Sequence, residues 1–142
     1  MIIQTQTTQF KSDCLSGLVN FTTTSPYTYK VALYTALSNL NNTTATYAGT
    51  TNEVVATGYT AGGNSITIPQ NPGIDIANNI AFPYFNNVVW TGAIITARGA
   101  LIYNSTTGNS VAVLNFGSDI TMNNFTITWP AATSTTAVIT IS

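Results

Sequence analysis

The chain opens with a helical pattern. Between residues 8 and 21, apolar residues recur at spacings of three and four, which places them on one face of an α-helix. Those residues are Phe10, Cys14, Leu15, Leu18 and Val19. Thr7 or Thr8 is placed to cap the first turn. The apolar stripe has two interpretations, a helix that covers one end of its own core or a helix that docks against another chain.

From Tyr27 onward the pattern changes to that of strands. Tyr27, Tyr29, Val31 and Leu33 alternate with Thr28, Lys30 and Ala32, which is the period of two expected for a β-strand. Later segments predict further short strands at 53–57, 65–69, 80–85, 88–90, 93–103, 111–116, 125–129 and 137–141. The stretch 36–51 has no sustained period, so it is predicted to be a long surface loop away from the core.

About eight short strands, spaced near ten residues apart and without alternating helices, are typical of antiparallel β-structure. The sequence therefore predicts one all-β domain over residues 1–142, with strands from about 27 to 141 and one short N-terminal helix at about 8–21. The expected architecture is an antiparallel β-sandwich of the jelly-roll type. The glycine-rich link 58–63 lacks the lysine of a P-loop and is predicted to be a turn.

The amino-acid composition argues against several classes of function. Charged residues make up 5% of the 142, where about a quarter is usual, while 27 residues are Thr and 16 are Asn. The chain has no His and only four carboxylates, so acid–base catalysis and metal binding lose their usual side chains. We predict no enzyme activity, no catalytic or metal-binding residues and no cofactor.

Binding to nucleic acid and membranes is also disfavoured. Three cations form no basic patch for phosphates, so direct nucleic-acid binding is not expected. No segment has the roughly 20 apolar residues that cross a bilayer, and the N-terminus does not resemble a secretion signal, so we expect no membrane association. Cys14, on the apolar helical stripe, is predicted to be a small buried hydrophobe.

Two charged positions attract specific predictions. Arg98 lies inside an apolar strand, where it must either reach water or find a carboxylate partner. One hypothesis is a structural ion pair between Arg98 and Glu53, and the other is an exposed arginine. Asp119 follows Gly117 and Ser118 and is predicted to bond to its own backbone in a turn.

The run Phe82-Pro83-Tyr84-Phe85 combines aromatic rings with a proline, which cannot donate to a strand ladder. Three roles are open for Phe82, Tyr84 and Phe85: core packing, anchoring of an interface, or stacking against a sugar. We retain the interface as the site hypothesis.

A further set of segments follows one order along the chain: the helix start at Phe10-Lys11, then 29–35, 51–54, 57–63, 90–92, 96–104 and 112–117, and the closing 125–130. Together these segments resemble a family of short, β-rich virion structural proteins of tailed bacteriophages. Residues 69–83 have no counterpart in the resemblance. It implies a β-rich structural protein without a catalytic motif, located in the virion after assembly in the host cytoplasm.

The resemblance leaves three functions open. The first is a capsid decoration or cement protein that stabilises joints between major capsid subunits. The second is a tail, neck or fibre component with a carbohydrate-binding tip, and the third is a hydrolase of host surface polymers, which the scarcity of carboxylates disfavours. Expected partners are the major capsid protein or another virion protein. Because few charges protect the sheet edges, we also expect a homotrimer or another closed homo-oligomer.

Overall fold

The computed structural model describes all residues from Met1 to Ser142 and is mostly β, with 39% of residues in strands. Two antiparallel sheets and one short helix confirm the predicted fold class and are consistent with a β-sandwich. The elements are β1 Thr5–Gln6, α1 Thr8–Ser16, β2 Tyr29–Tyr34, β3 Asn64–Ile66, β4 Gly73–Asp75, β5 Ile80–Phe82, β6 Val88–Asn104 and β7 Ser110–Ile127. A 3-10 turn spans Tyr47–Gly49.

The main sheet has the order β1-β7-β6-β2-β3, and β4 and β5 form a separate hairpin. β6 and β7 are consecutive in the chain and pair along most of their length. The seven strands thus divide five and two, which departs from the eight strands of a jelly roll.

The helix begins where predicted and ends early. The Thr7 side chain accepts a hydrogen bond from the backbone N–H of Phe10 and so caps the first turn. At the other end, Gly17 adopts a left-handed backbone with φ 72°, which ends the helix at Ser16 rather than at residue 21. Phe10 is buried in the chain's own core, as the first interpretation of the stripe expects, but Leu15 is 92% exposed.

β6 and β7 are much longer than the strands predicted from the pattern. β6 runs for 17 residues and β7 for 18, and each joins two predicted strands. Pairing between them shifts between Trp90 and Ile94 and again between Ala97 and Gly99. At the first shift, four steps along β6 match two along β7, and at the second, two steps along β6 match five along β7, so the strands bulge at both places. The alternation in the sequence is broken at these points, although the strand continues.

Both faces of the main sheet are covered. Along β2, Val31 and Leu33 belong to a cluster of 20 buried residues, whereas Ala32 and Tyr34 belong to a second cluster of seven. Neighbouring residues of a strand point to opposite faces, so the two clusters lie on opposite sides of the sheet. The smaller cluster comprises Ile2, Ala32, Tyr34, Leu40, Leu101, Tyr103 and Val113.

The predicted surface loop 36–51 supplies part of that second cover, so its placement away from the core was wrong. Leu40 is only 2% exposed, and its carbonyl accepts a hydrogen bond from the Ile3 N–H at 2.8 Å. The Tyr47 ring stacks on Tyr103 with 4.6 Å between ring centroids. The predicted strands at 53–57 and 137–141 are reduced to single bridges, Tyr34 with Glu53 and Ala81 with Ile141.

Candidate interaction surface

Glu53 is the centre of a hydrogen-bonded cluster. Its Oε2 accepts from the Tyr47 hydroxyl at 2.6 Å, and its Oε1 accepts from the Tyr59 hydroxyl and the Gly62 N–H, both at 2.7 Å. The Tyr59 hydroxyl in turn accepts from the Leu33 N–H of β2 at 2.8 Å. The carboxylate therefore ties the loop around Tyr47 and the loop 59–62 to β2, which is a structural use of its charge.

The tyrosines of this cluster are held in their protonated form. Burial and the neighbouring Glu53 carboxylate raise the pKa of Tyr47 and of Tyr59 above the usual tyrosine range. Burial likewise raises the pKa of Tyr103, whose hydroxyl donates to the Gly62 carbonyl at 2.7 Å. The hydroxyls therefore remain hydrogen-bond donors and are poor proton acceptors for chemistry.

The predicted ion pair between Arg98 and Glu53 is wrong. Arg98 Nη1 lies 3.1 Å from Asp119 Oδ1, and the two side chains are 36% and 55% exposed. The strand register explains this. Ala97 pairs with Ile120, and because the strands are antiparallel, the residue after Ala97 lies beside the residue before Ile120 on the outer face. Asp119 consequently forms a cross-strand pair rather than the predicted turn bond.

The remaining carboxylates also bind neutral donors. Asp13 is buried and accepts from Gln9 Nε2 at 2.7 Å and Asn109 Nδ2 at 2.8 Å. Asp75 accepts from the Asn78 side chain at 2.8 Å, which lowers the pKa of the Asp75 carboxyl. No carboxylate is hydrogen-bonded to another, and no three His, Cys, Asp or Glu side chains gather into a metal-binding group.

The aromatic run is mostly used inside the chain. Phe82 is 8% exposed and contacts Tyr84 edge-on, with ring centroids 5.6 Å apart. Phe85 packs edge-on against Phe21 at 5.5 Å and Trp129 at 5.6 Å. Tyr84 and Phe85 are half-buried, so they alone of the three predicted anchors retain surface for a partner.

Cys14 lies in an apolar groove of about 290 Å³ beside the helix, lined also by Phe21, Phe82, Ile139 and Ile141. The thiol is half-buried rather than fully buried. Burial, helped by the adjacent Asp13 carboxylate, raises its pKa. A thiol with a raised pKa is a weak nucleophile, so Cys14 acts as a packing residue.

The outer edge of β7 is unpaired over most of its length. β1 pairs with β7 only at Ala112 and Val113, and from Ile120 to Ile127 the strand pairs with β6 alone. Every second residue of such an edge directs its backbone N–H and C=O away from the sheet. No charged residue occurs between Ile120 and Ile127. This edge lacks the charges that usually prevent association.

An apolar groove of about 280 Å³ accompanies this edge. It is lined mainly by Phe116, Ile120, Met122, Phe125 and Ile127. Met122 is 38% exposed, and on the opposite face the Thr96 and Thr121 hydroxyls meet at 2.7 Å across the two strands. We call Ile120–Ile127 together with this groove the β7 edge surface.

The sequence pattern missed the β7 edge surface because it predicted a break between residues 116 and 125. The alternation of Ile120 and Met122 with polar neighbours was the available signal.

The helix of this fold is too short and too polar to cross a membrane. No protein-family model, no curated protein and no solved structure matches the chain.

Proposed function

We propose that this chain is a non-enzymatic structural protein of a tailed-bacteriophage virion. Its proposed place is on the capsid, where it binds as a decoration or cement protein at joints between major capsid subunits. The virion assignment rests on the family resemblance of the sequence. The observation that supports an assembly role is the β7 edge surface.

A free monomer leaves backbone groups of β7 without hydrogen-bond partners in the sheet. The unpaired backbone groups of Ile120–Ile127 can add a strand from a partner, and the groove beside them can bury apolar side chains. Natural sheets usually block such edges with lysine, proline or inward-pointing charges. This edge has none of these devices, which suits a protein that functions within a larger assembly.

The low charge and the Thr- and Asn-rich composition of the chain also support a role in an assembly. The formal net charge is −1, and the few charged side chains are largely used within the fold, as at Glu53 and the Arg98–Asp119 pair. Short Thr and Asn side chains lose less conformational entropy at an interface than long charged ones. A neutral surface of this composition favours lasting contact over free diffusion.

A position in the tail, neck or fibre would use the same surface in fewer copies per particle. The carbohydrate-binding form of that alternative needs an exposed aromatic platform. Phe82 is buried and Phe85 packs against Trp129, so the aromatic run offers little such platform.

The test uses virions of the phage that encodes this chain. Quantitative mass spectrometry of purified particles should find it at a copy number comparable with that of the major capsid protein. A copy number like that of the tail proteins would move the chain to the tail, and its absence from purified virions would refute the virion role.

A binding assay adds a matched pair of variants. Purified chain is added to particles assembled without it, and the bound fraction is measured. Met122→Asp places a charge in the groove and should weaken binding by about tenfold or more. Val55→Asp changes an exposed apolar residue elsewhere and should bind like the unmodified chain. Equal binding by both variants would exclude the β7 edge surface from the contact.

A further inference from the structure

The two halves of the β7 edge mirror each other in sequence. Read outward from the bond between Asn123 and Asn124, both directions give an Asn, a large apolar residue, a Thr and an Ile. The matching residues are Met122 with Phe125, Thr121 with Thr126, and Ile120 with Ile127. A segment with this symmetry matches like with like when it lies antiparallel to a copy of itself.

Sequence symmetry alone would not allow this segment to pair with a copy of itself, because the matched side chains must also point to the same face of the sheet. In a regular strand, Met122 and Phe125 are three residues apart and would point to opposite faces. The strand is irregular between them, where Asn124 has φ 53° and its side chain accepts the Gly92 N–H at 2.6 Å. This irregularity changes the relation between the two halves.

The pairing with β6 shows to which face Met122 and Phe125 point. Met122 lies opposite Ile95 and Phe125 lies opposite Trp90, and both partners belong to the same buried cluster. Residues directly opposite in an antiparallel pair share a face, so Met122 and Phe125 point to the same side.

In each of the other two matched pairs, both residues also point to the same face. Ile120 and Ile127 lie opposite the buried Ala97 and Val88, whereas Thr121 and Thr126 lie opposite the exposed Thr96 and Val89. The Ile pair therefore shares the core-side face and the Thr pair shares the outer face.

From this arrangement we propose that two copies of the chain pair through their β7 edges, antiparallel and about a two-fold axis between Asn123 and Asn124. Ile120 of one copy then lies opposite Ile127 of the other, Thr121 opposite Thr126, and Met122 opposite Phe125. The apolar pairs extend the groove of each copy across the junction. The Thr pairs lie on the outer face, where the Thr96 and Thr121 hydroxyls already meet within each copy. The main sheets of both copies become one continuous sheet.

Edge length identifies a second copy of this chain as the occupant. β1 and β3 have two and three residues, too few to pair with eight. The outer edge of β6 is approached by its own chain, since Asn64 Nδ2 donates to the Val89 carbonyl at 2.8 Å and the Tyr59 ring stacks on Trp90. Gly58 also lies against Ala93 on that side of β6. The β7 edge matches a second copy of itself in both length and mirrored sequence, and a two-fold axis closes the pair.

Charge is compatible with this register. The pairing places Asp119 of each copy beside Thr128 of the other, at opposite ends of the junction. The two Asp119 residues are then separated by about nine residues of strand, or roughly 30 Å, beyond the screening distance at physiological salt. No like charges face each other across the axis.

The inference deepens the proposed assembly role by naming the partner of the β7 edge. The proposed pairing of β7 edges and the proposed virion role can be refuted independently. A chain that is present in virions but monomeric in solution would overturn the pairing and leave the virion role standing.

The experiment is sedimentation equilibrium of the purified chain with a matched pair of variants. The unmodified chain should have twice its 15.0 kDa mass at micromolar concentration. Asn123→Asp brings two like charges beside the two-fold axis and should raise the dimer dissociation constant by about tenfold or more. Asn42→Asp is the control, because Asn42 is also exposed and contacts the fold through its backbone carbonyl, which accepts from the Thr8 N–H at 2.9 Å.

Circular dichroism of both variants checks that each is folded. Hydrogen exchange on the unmodified chain gives a second measurement, in which the outward amides between Ile120 and Ile127 should gain protection as concentration rises. A monomer at all concentrations, a mass of three chains, or equal weakening by the two Asn→Asp variants would overturn the two-fold pairing.

Discussion

At the scale of single residues, the few charges of this chain are fixed by particular neighbours. Glu53 accepts three hydrogen bonds, from two tyrosine hydroxyls and one backbone N–H. Its donors come from segments on both sides of it in the chain, and their meeting depends on how the loops fold over β2. The pattern of residues near Glu53 therefore could not predict this role.

Replacing Glu53 tests its structural importance. Glu53→Ala leaves the Tyr47 and Tyr59 hydroxyls and the Gly62 N–H without their acceptor, so the free energy of unfolding should fall by about 2 to 4 kcal/mol. Glu53→Gln retains one acceptor oxygen and should lose about half as much. Urea unfolding monitored by fluorescence measures both. A change below about 0.5 kcal/mol for Glu53→Ala, the range of ordinary surface substitutions, would show that the cluster does not stabilise the fold.

The Arg98–Asp119 pair should behave differently because it is exposed. Arg98→Ala should change the free energy of unfolding by less than about 0.5 kcal/mol, since solvent screens exposed pairs. A double-mutant cycle should give a small coupling between Arg98 and Asp119 and none between Arg98 and Glu53. Measurable coupling with Glu53 would contradict the observed geometry.

At the scale of elements, the sequence was informative where the pattern is local. The helix start at Thr8 and the strand around Tyr29–Tyr34 follow from spacing and capping alone. The early end of the helix depends on Gly17 adopting a positive φ, which the apolar stripe running past it concealed.

The long strands were not predictable in the same way. β6 and β7 continue through positions where the pairing shifts, and each shift interrupts the alternation that identifies a strand. The Arg98–Asp119 pair depends on that register between residues 21 apart, so spacing along the chain gave no sign of it. The unpaired β7 edge was hidden by the same break in pattern.

The loop 36–51 provides a test at this scale. Leu40 fills the smaller cluster beneath the loop, so Leu40→Ala should lower the free energy of unfolding by about 2 to 4 kcal/mol. The exposed Leu37 of the same loop is the matched control, and Leu37→Ala should cost less than about 0.5 kcal/mol. Chemical denaturation of the two variants compares them, and similar losses would mean that the loop does not cover the sheet.

At the scale of the whole molecule, buried and half-buried tyrosines make the free energy of unfolding depend on pH in the alkaline range. Burial raises the pKa of Tyr29 to about 12, and it raises the pKa of Tyr34, Tyr47 and Tyr59 further. In the unfolded chain these groups ionise near their usual value of about 10. The folded state therefore holds these protons more tightly than the unfolded state.

This contribution to stability is complete below about pH 10 and is lost as pH rises from there through the folded-state pKa values. Urea midpoints should thus be nearly constant from about pH 7 to 9 and should fall between about pH 10 and 12. Tyrosinate absorbance recorded during the same titrations should rise with unfolding. A midpoint unchanged to about pH 12 would mean that the tyrosines are not buried in the folded chain.

The β7 edge surface gives the whole molecule its proposed role, since it combines unpaired backbone, an apolar groove and no charge. The most direct measurement is an electron cryomicroscopy map of the intact virion. The account predicts density for this fold on the capsid surface, with residues Ile120–Ile127 in contact with another chain. A particle without this fold, or one that leaves the β7 edge facing solvent, would contradict it.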